Sequence, residues 1–244
     1  MIEAGRGAQD EGRDSSPPPA ALDGRGRVPG PAFRVPVVHA VTDDLIVSRP
    51  GFVNRARTVM GVLGQRGAVH LRSRTHTAAR LYELAQALST AQERTGAWLV
   101  VNDRVDIALA VGARAVQLTS RSMTVDDART AARTTALEIG ASVHSVDEAL
   151  AAAGAGASWV VAGNVFTTRS HPDAGPRGRA LIESVSGAIT TPCIAIGGIK
   201  PQHVAAMRQA GAWGVAAISG IWGADDAEQA ATDYLTSYDA DGDR

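Results

Sequence analysis

Two apolar runs in this chain each finish on groups that packing alone does not require. Ile139-Gly140-Ala141-Ser142-Val143 runs into His144, and Pro192-Cys193-Ile194-Ala195-Ile196 runs into Gly197-Gly198. The first places at a strand end the one side chain that titrates near neutral pH. The second makes a bare backbone turn that can receive an anion at the N-terminus of the following helix. Together they point to proton transfer on a phosphorylated small molecule.

Such groups need a scaffold that gathers strand ends. Short Val-, Ile- and Ala-rich runs at 35–41, 68–72, 97–102, 114–118, 137–143, 158–163, 192–197 and 213–218 alternate with helix-period stretches near 51–65, 77–94, 103–111, 124–134, 145–154, 178–188, 201–210 and 225–237. Repeated βα units give a parallel sheet, and eight of them match a (β/α)8 TIM barrel. The runs are apolar on consecutive residues, as strands buried on both faces require. A doubly wound open sheet is the rival. It is disfavoured because no Gly-x-Gly-x-x-Gly follows the first run and because polar residues recur at nearly all eight ends.

In such a barrel the C-terminal strand ends form the catalytic face, so His70, Arg72, Asn102, Gln117, His144, Asn164, Gly197, Gly198 and Ser219 become one candidate constellation. His70 and Arg72 flank Leu71, so by the two-residue period of a strand both face the barrel mouth. They either bind a polar ligand or form an internal network with Asn102 and Gln117. The planar fork of Arg72 suits a carboxylate or a phosphate. His144 precedes Ser145-Val146-Asp147-Glu148, which reads as a capping box, so its imidazole is either an acid/base group or a tie to a neighbouring loop. Gly197-Gly198 and Ser219-Gly220, on the seventh and eighth strands, stand where such barrels hold phosphate. Asn102-Asp103-Arg104-Val105-Asp106 has the look of a carboxylate pair. The other reading is helix capping by Asn102 or Asp103 with Asp106 facing elsewhere, and the fourth-strand loop, Gln117 to Ser122, offers no carboxylate, so no metal is expected.

The composition bounds the partners. The 244 residues carry a formal net charge of -1 with dispersed basic residues, which excludes an electrostatic footprint for nucleic acid or an anionic membrane surface. No run is long and apolar enough to span a bilayer. Cys193 is the only cysteine and lies inside an apolar run, where it reads as a small buried hydrophobe of a chain in the reducing cytoplasm. Residues 1–32, with Ser15-Ser16-Pro17-Pro18-Pro19 at their centre, read as a disordered Pro/Gly-rich tail, 33–238 as the barrel, and 239–244 as a disordered C-terminus. Assembly into a homo-oligomer stays open.

Val101-Asn102-Asp103-Arg104-Val105-Asp106-Ile107-Ala108, Ile139 to Ser145, Ile194 to Ile199 and Ala217-Ile218-Ser219-Gly220-Ile221 together resemble the thiamine-phosphate synthase superfamily, in order over about residues 35 to 237. That resemblance implies one of two chemistries. The synthase branch couples a pyrimidine diphosphate to a thiazole phosphate with magnesium. The tautomerase branch aromatises a thiazole precursor without a metal. Against the synthase pattern, this chain has His70-Leu71-Arg72-Ser73-Arg74 for Gln-Leu-Arg-Glu-Lys. It has Thr119-Ser120-Arg121-Ser122 where a metal-binding aspartate is expected, and Thr168-Arg169-Ser170-His171 where a pyrophosphate-binding lysine is expected. His70-Leu71-Arg72, Val116-Gln117-Leu118, Ser142-Val143-His144-Ser145 and, in part, Pro176-Arg177-Gly178 are similar to the tautomerase branch, while Asp103 follows the synthase.

The resemblance therefore implies a thiazole tautomerase, an isomerase working by a 1,3-proton shift on a thiazole phosphate carboxylate, with no cofactor and no metal. His144 would move the proton, the backbone of Gly197, Gly198 and Ser219 would hold the phosphate, Arg72 the carboxylate, and Gln117 and His70 would orient the ring. A synthase coupling hydroxymethylpyrimidine diphosphate to thiazole phosphate is the alternative, and a non-catalytic thiazole-phosphate-binding protein is a third reading.

Overall fold

The computed structural model describes residues 1, 35–168 and 175–240; the expected tail beyond its first residue, residues 241–244 and the Arg169-Ser170-His171 stretch lie outside the described residues. From Val38 the chain alternates strand and helix: β1 (Val38–Val41), α1 (Asp44–Val47), α2 (Phe52–Leu63), β2 (Gly67–Leu71), α3 (Ala78–Thr95), β3 (Trp98–Asn102), α4 (Val105–Ala110) and β4 (Ala115–Leu118). It continues through α5 (Val125–Ala131), β5 (Glu138–Val143), α6 (Val146–Gly154), β6 (Trp159–Gly163), α7 (Gly178–Ala188), β7 (Cys193–Ile196), α8 (Val204–Gln209), β8 (Gly214–Ala217), α9 (Ser219–Trp222) and α10 (Ala227–Asp239). Each strand pairs in parallel with the next, and β1 also pairs with β8, so the sheet closes into an eight-stranded (β/α)8 barrel. Closure eliminates the open sheet, in which β1 could not be hydrogen-bonded along both sides to first and last neighbours.

Parity along each strand separates two cores. Val38, Ala40, Val69, Leu71, Leu99, Val101 and Val116 face the helices, while Val41, Ala68, Trp98, Val100, Ala115, Trp159, Ile194 and Ala216 fill the barrel. The helices answer with period-3.6 stripes, as in α2, which buries Phe52, Ala56, Val59, Met60 and Leu63.

An eight-stranded barrel has an interior that side chains must fill. Here two indoles are among its members: Trp98 and Trp159 meet edge to face with ring centroids 5.9 Å apart, and Trp159 is fully buried. Their bulk dictates small residues around them. A Cβ on Gly140 would lie 2.2 Å from the Trp159 ring, and one on Gly214 would lie 2.4 Å from Val37 O at the β1–β8 seam.

Local signals placed most helix starts, with two departures. Ser145 caps α6 by accepting from Glu148 N, as expected, but the return arm of the capping box does not close on Ser145. Glu148 Oε2 instead accepts from His144 N at 2.6 Å, one residue earlier. The single-turn helices α1 and α9, in the loops after β1 and β8, are too short to show periodicity; only Asp43, whose side chain accepts from Ile46 N, marks one of them.

Gly140→Ala is expected to destabilise the barrel by about 1–3 kcal/mol through overpacking against Trp159, seen as a lower midpoint in thermal unfolding. Gly154→Ala, where an added Cβ meets nothing within 4 Å, is the control and should leave the midpoint unchanged or slightly higher.

Candidate active site at the barrel mouth

The C-terminal strand ends surround a cavity of about 430 Å³, and all nine residues singled out from sequence line it. His70 and Arg72 come from β2 and its loop, Asn102 from β3, Gln117 from β4, His144 from the end of β5, Asn164 from β6, Gly197 and Gly198 from the β7 loop, and Ser219 from the start of α9. The wall also contains Arg74, Asp103, Arg121, Ser142 and Arg177. Among the described residues four arginines thus face one carboxylate, a balance that favours an anionic ligand.

On the β7–β8 side the wall is backbone. Gly197 and Gly198 have φ of 106° and 66°, values that L side chains rarely adopt. A Cβ on Gly197 would lie 2.8 Å from Asn164 Cα, and one on Gly198 would lie 2.8 Å from Thr167 O. These glycines let the β6 loop lie directly on the β7 loop, where Val165 N donates to Ile196 O and Phe166 N to Gly197 O, both at 2.9 Å. The buried Tyr234 hydroxyl of α10 donates to Ile199 O at 2.7 Å, and its own pKa is raised by burial.

The β2–β4 side is built from side chains over a buried histidine pair. His39 Nε2 lies 2.9 Å from Pro36 O, which can only accept, so that nitrogen carries the ring proton. His39 Nδ1 therefore accepts, and His70 Nε2, 2.8 Å away, donates to it. Desolvation holds both rings neutral: the pKa of His39 falls from an ordinary 6.5 to about 4, and that of His70 is also well below the usual range, lowered further by His39. Gln117 Nε2 donates to Ser142 Oγ at 3.1 Å, whereas Asn102 Oδ1 is buried with no partner among the described residues.

Arg72 is half-buried at this end, and its side chain makes no hydrogen bond or ion pair among the described residues. Its pKa is lowered first by burial and then by the Arg74 charge, against Asp103, Asp44 and Asp43. The carboxylates here act as tethers. Asp44 Oδ1 accepts from Ser73 Oγ (2.5 Å), Arg74 N (2.8 Å), Thr75 N (3.0 Å) and Thr75 Oγ1 (2.8 Å), fixing the β2 loop. Burial works against its ionisation, but those bonds outweigh it and hold the carboxyl well below the usual range. Asp103, at φ 61°, accepts on Oδ1 from Thr119 N (3.0 Å), Thr119 Oγ1 (2.8 Å) and Ser122 Oγ, fixing the β4 loop.

His144 occupies the rim and is exposed. Its Nδ1 lies 2.8 Å from Gly163 O and so carries the proton, its N donates to Glu148, and its O accepts from Arg177 at 2.6 Å. Sequence reasoning missed His39 and Arg121. His39 was marked by a polar residue of inward parity within Val37 to Val41; Arg121 was visible in a loop read only for missing carboxylates.

The model of the thiamine monophosphate synthase family matches residues 40–221. The chain belongs to that family. It is 37% identical over 195 residues to the thiamine-phosphate synthase of Methanoculleus marisnigri, covering 80% of this chain and 91% of that protein. Over 154 residues, 63% of the chain, it is 47% identical to the thiamine biosynthesis bifunctional protein ThiM/ThiE of Symbiobacterium thermophilum, of whose length it spans 32%. The solved thiamine phosphate pyrophosphorylase from Pyrococcus furiosus superposes with a TM-score of 0.74 at 31% identity, over 84% of this chain and 96% of that one.

These relatives overturn the expected thiazole tautomerase and its isomerase class in favour of the synthase alternative. The tautomerase reading weighed a few residues in each of four loops, whereas the synthase likeness runs through nearly the whole barrel. The 1,3-proton shift expected of His144 belongs to the overturned reaction.

The synthase resemblance implies magnesium, which usually takes one or two carboxylates with substrate phosphates. Among the described residues Asp103 is the only carboxylate lining the cavity, and one of its oxygens already accepts three hydrogen bonds. The loop facing it contributes the Arg121 guanidinium, and among the described residues no three His, Cys, Asp or Glu side chains gather. This donor set does not fit a magnesium site.

The two neutral histidines make stability depend on acid. The unfolded chain binds a proton below pH 6.5 that native His39 refuses down to about pH 4, and native His70 is held below its usual range in the same direction, so stability tied to the two rings is complete above pH 6.5 and is lost as pH falls below it. The expected slope is about 1.4 kcal/mol per pH unit for each histidine. Urea unfolding between pH 7 and 4.5 checks it: His39→Gln should flatten the pH dependence relative to wild type, and an unchanged slope would remove the pair as its source.

Proposed function

We propose that the protein is a transferase of the thiamine-phosphate synthase type, joining hydroxymethylpyrimidine diphosphate to thiazole phosphate with release of diphosphate. The observation that carries this reading is that one cavity pairs a glycine-built backbone wall on β7 and β8 with an arginine-rich wall on β2 and β4. Two phosphorylated reactants need two anion-receiving ends. Family membership supports the same reading.

The backbone of Gly197 and Gly198, with Ser219, receives the thiazole phosphate, with Asn164 beside them. Arg72 receives the diphosphate. Asn102 Oδ1, buried and without a partner among the described residues, accepts from an N–H on the pyrimidine, and His70 and Gln117 fix the ring's position. In the coupling, the carbon–oxygen bond to diphosphate breaks and a bond from that carbon to the thiazole nitrogen forms. Diphosphate leaves with the electron pair, and no proton has to move between carbons. His144, whose Nδ1 is tied to Gly163 O, is left with Nε2 as a hydrogen-bonding group at the rim.

Catalysis then rests on holding the two reactants in line and stabilising the charge that grows on the leaving group. Incubation with both substrates should yield thiamine phosphate, measured as fluorescent thiochrome after oxidation. Arg72→Ala should lower kcat/KM for the diphosphate by about 10²-fold. Absence of product from the wild-type chain would sink the transferase reading.

A further inference from the structure

We propose that Arg72, Arg74 and Arg121 form a diphosphate cradle that works without a divalent metal, Arg121 supplying from the β4 loop the positive charge that a metal would bring. The inference rests on the transferase reading and deepens it by assigning the leaving-group subsite.

Three observations converge on it. First, all three guanidinium groups line the cavity, and none makes a side-chain hydrogen bond or ion pair among the described residues. Arg177, the fourth arginine of the wall, is already spent on His144 O. Second, Arg72 and Arg74 lie close enough for the charge of one to depress the pKa of the other. Like charges held together in a partly buried wall are relieved by an anion between them. Third, the acidic residues that could have recruited a cation are committed to the loops that carry these arginines. Asp44 holds Ser73, Arg74 N and Thr75, on either side of the Arg74 side chain. Asp103 holds Thr119 and Ser122, which bracket Arg121. Each carboxylate therefore positions a guanidinium instead of ligating a metal.

The chemistry suits the arrangement. A diphosphate leaving group carries several negative charges and many acceptor oxygens, and guanidinium forks bind two such oxygens at once. As the carbon–oxygen bond breaks, the electron pair passes to the bridging oxygen, and fixed cations stabilise it there without reorganisation.

The test uses the full chain and inorganic pyrophosphate as probe. Calorimetric titration is run in chelator and in magnesium for wild type and Arg121→Ala, beside the coupling assay under both conditions. Arg121 lies in a surface loop, and an unchanged thermal midpoint verifies folding of the variant. The expected result is pyrophosphate binding that survives chelation and weakens about tenfold or more in Arg121→Ala, in line with loss of a charged hydrogen bond. The KM for thiazole phosphate should stay put while kcat/KM for the diphosphate substrate falls. Wild-type coupling that collapses in chelator and returns with magnesium would overturn the cradle and leave the transferase intact. Equal pyrophosphate affinity in wild type and Arg121→Ala would also overturn it. Metal-free, Arg121-dependent binding with no coupling under either condition would support the cradle and refute the transferase.

Discussion

Trp159 and the glycine opposite it set the level at which this barrel stops being a core and becomes a site. Two indoles fill the lower interior, Trp159 lies against Gly140, and small residues such as Ala68, Ala115 and Ala216 complete the layer. The polar groups therefore stand on a dry floor instead of a water-filled pore. That floor keeps His39 and His70 neutral, since the charged imidazole loses more by desolvation than its neighbours return. It also gives the guanidinium groups above it more purchase on an anion than they would have in open water.

Above that floor the two walls of the cavity solve the same problem differently. On β7 and β8 the chain removes side chains, so that backbone can approach both a neighbouring loop and a ligand. On β2 and β4 it adds long cationic side chains, and uses Asp44 and Asp103 as anchors for the loops that carry them. Removing either anchor would leave the arginines in place in sequence but free to wander. The entropy of fixing them would then be lost at binding instead of at folding.

Much of this was legible in the sequence. The eight runs, their continuous apolarity and the polar residues at their ends were enough for the barrel, because local pattern and global closure agree. The nine candidate residues share one cavity for the same reason: strand parity and strand order leave them nowhere else to go. Boundaries moved where a helix starts in a tighter turn, as at the expected helix 201–210, whose first residues Pro201–His203 form a 3₁₀ segment ahead of α8. What could not be read was partnership across the barrel. His39 draws its meaning from a residue thirty-one positions away, and the three loop donors to Asp103 Oδ1 come from residues sixteen and nineteen positions on. The choice of proton shift over diphosphate displacement failed because it rested on a few residues in four loops, with Arg121 in the fourth-strand loop read only as a missing carboxylate.

The last helix reaches back into the site. Tyr234 bonds the carbonyl of Ile199 and stands where a side chain on Gly220 would be, while Asp239 at the end of α10 pairs with Arg66 just before β2. During synthesis on a ribosome, the arginine-bearing wall on β2 to β4 emerges early, but β1 has no second neighbour until Gly214–Ala217 has been made. The backbone wall on β7 and β8 gains its brace only when Tyr234 follows. A nascent chain therefore carries the arginine-bearing wall long before the glycine-built wall opposite it is braced, and the cavity is completed late, with the final turns of the last helix.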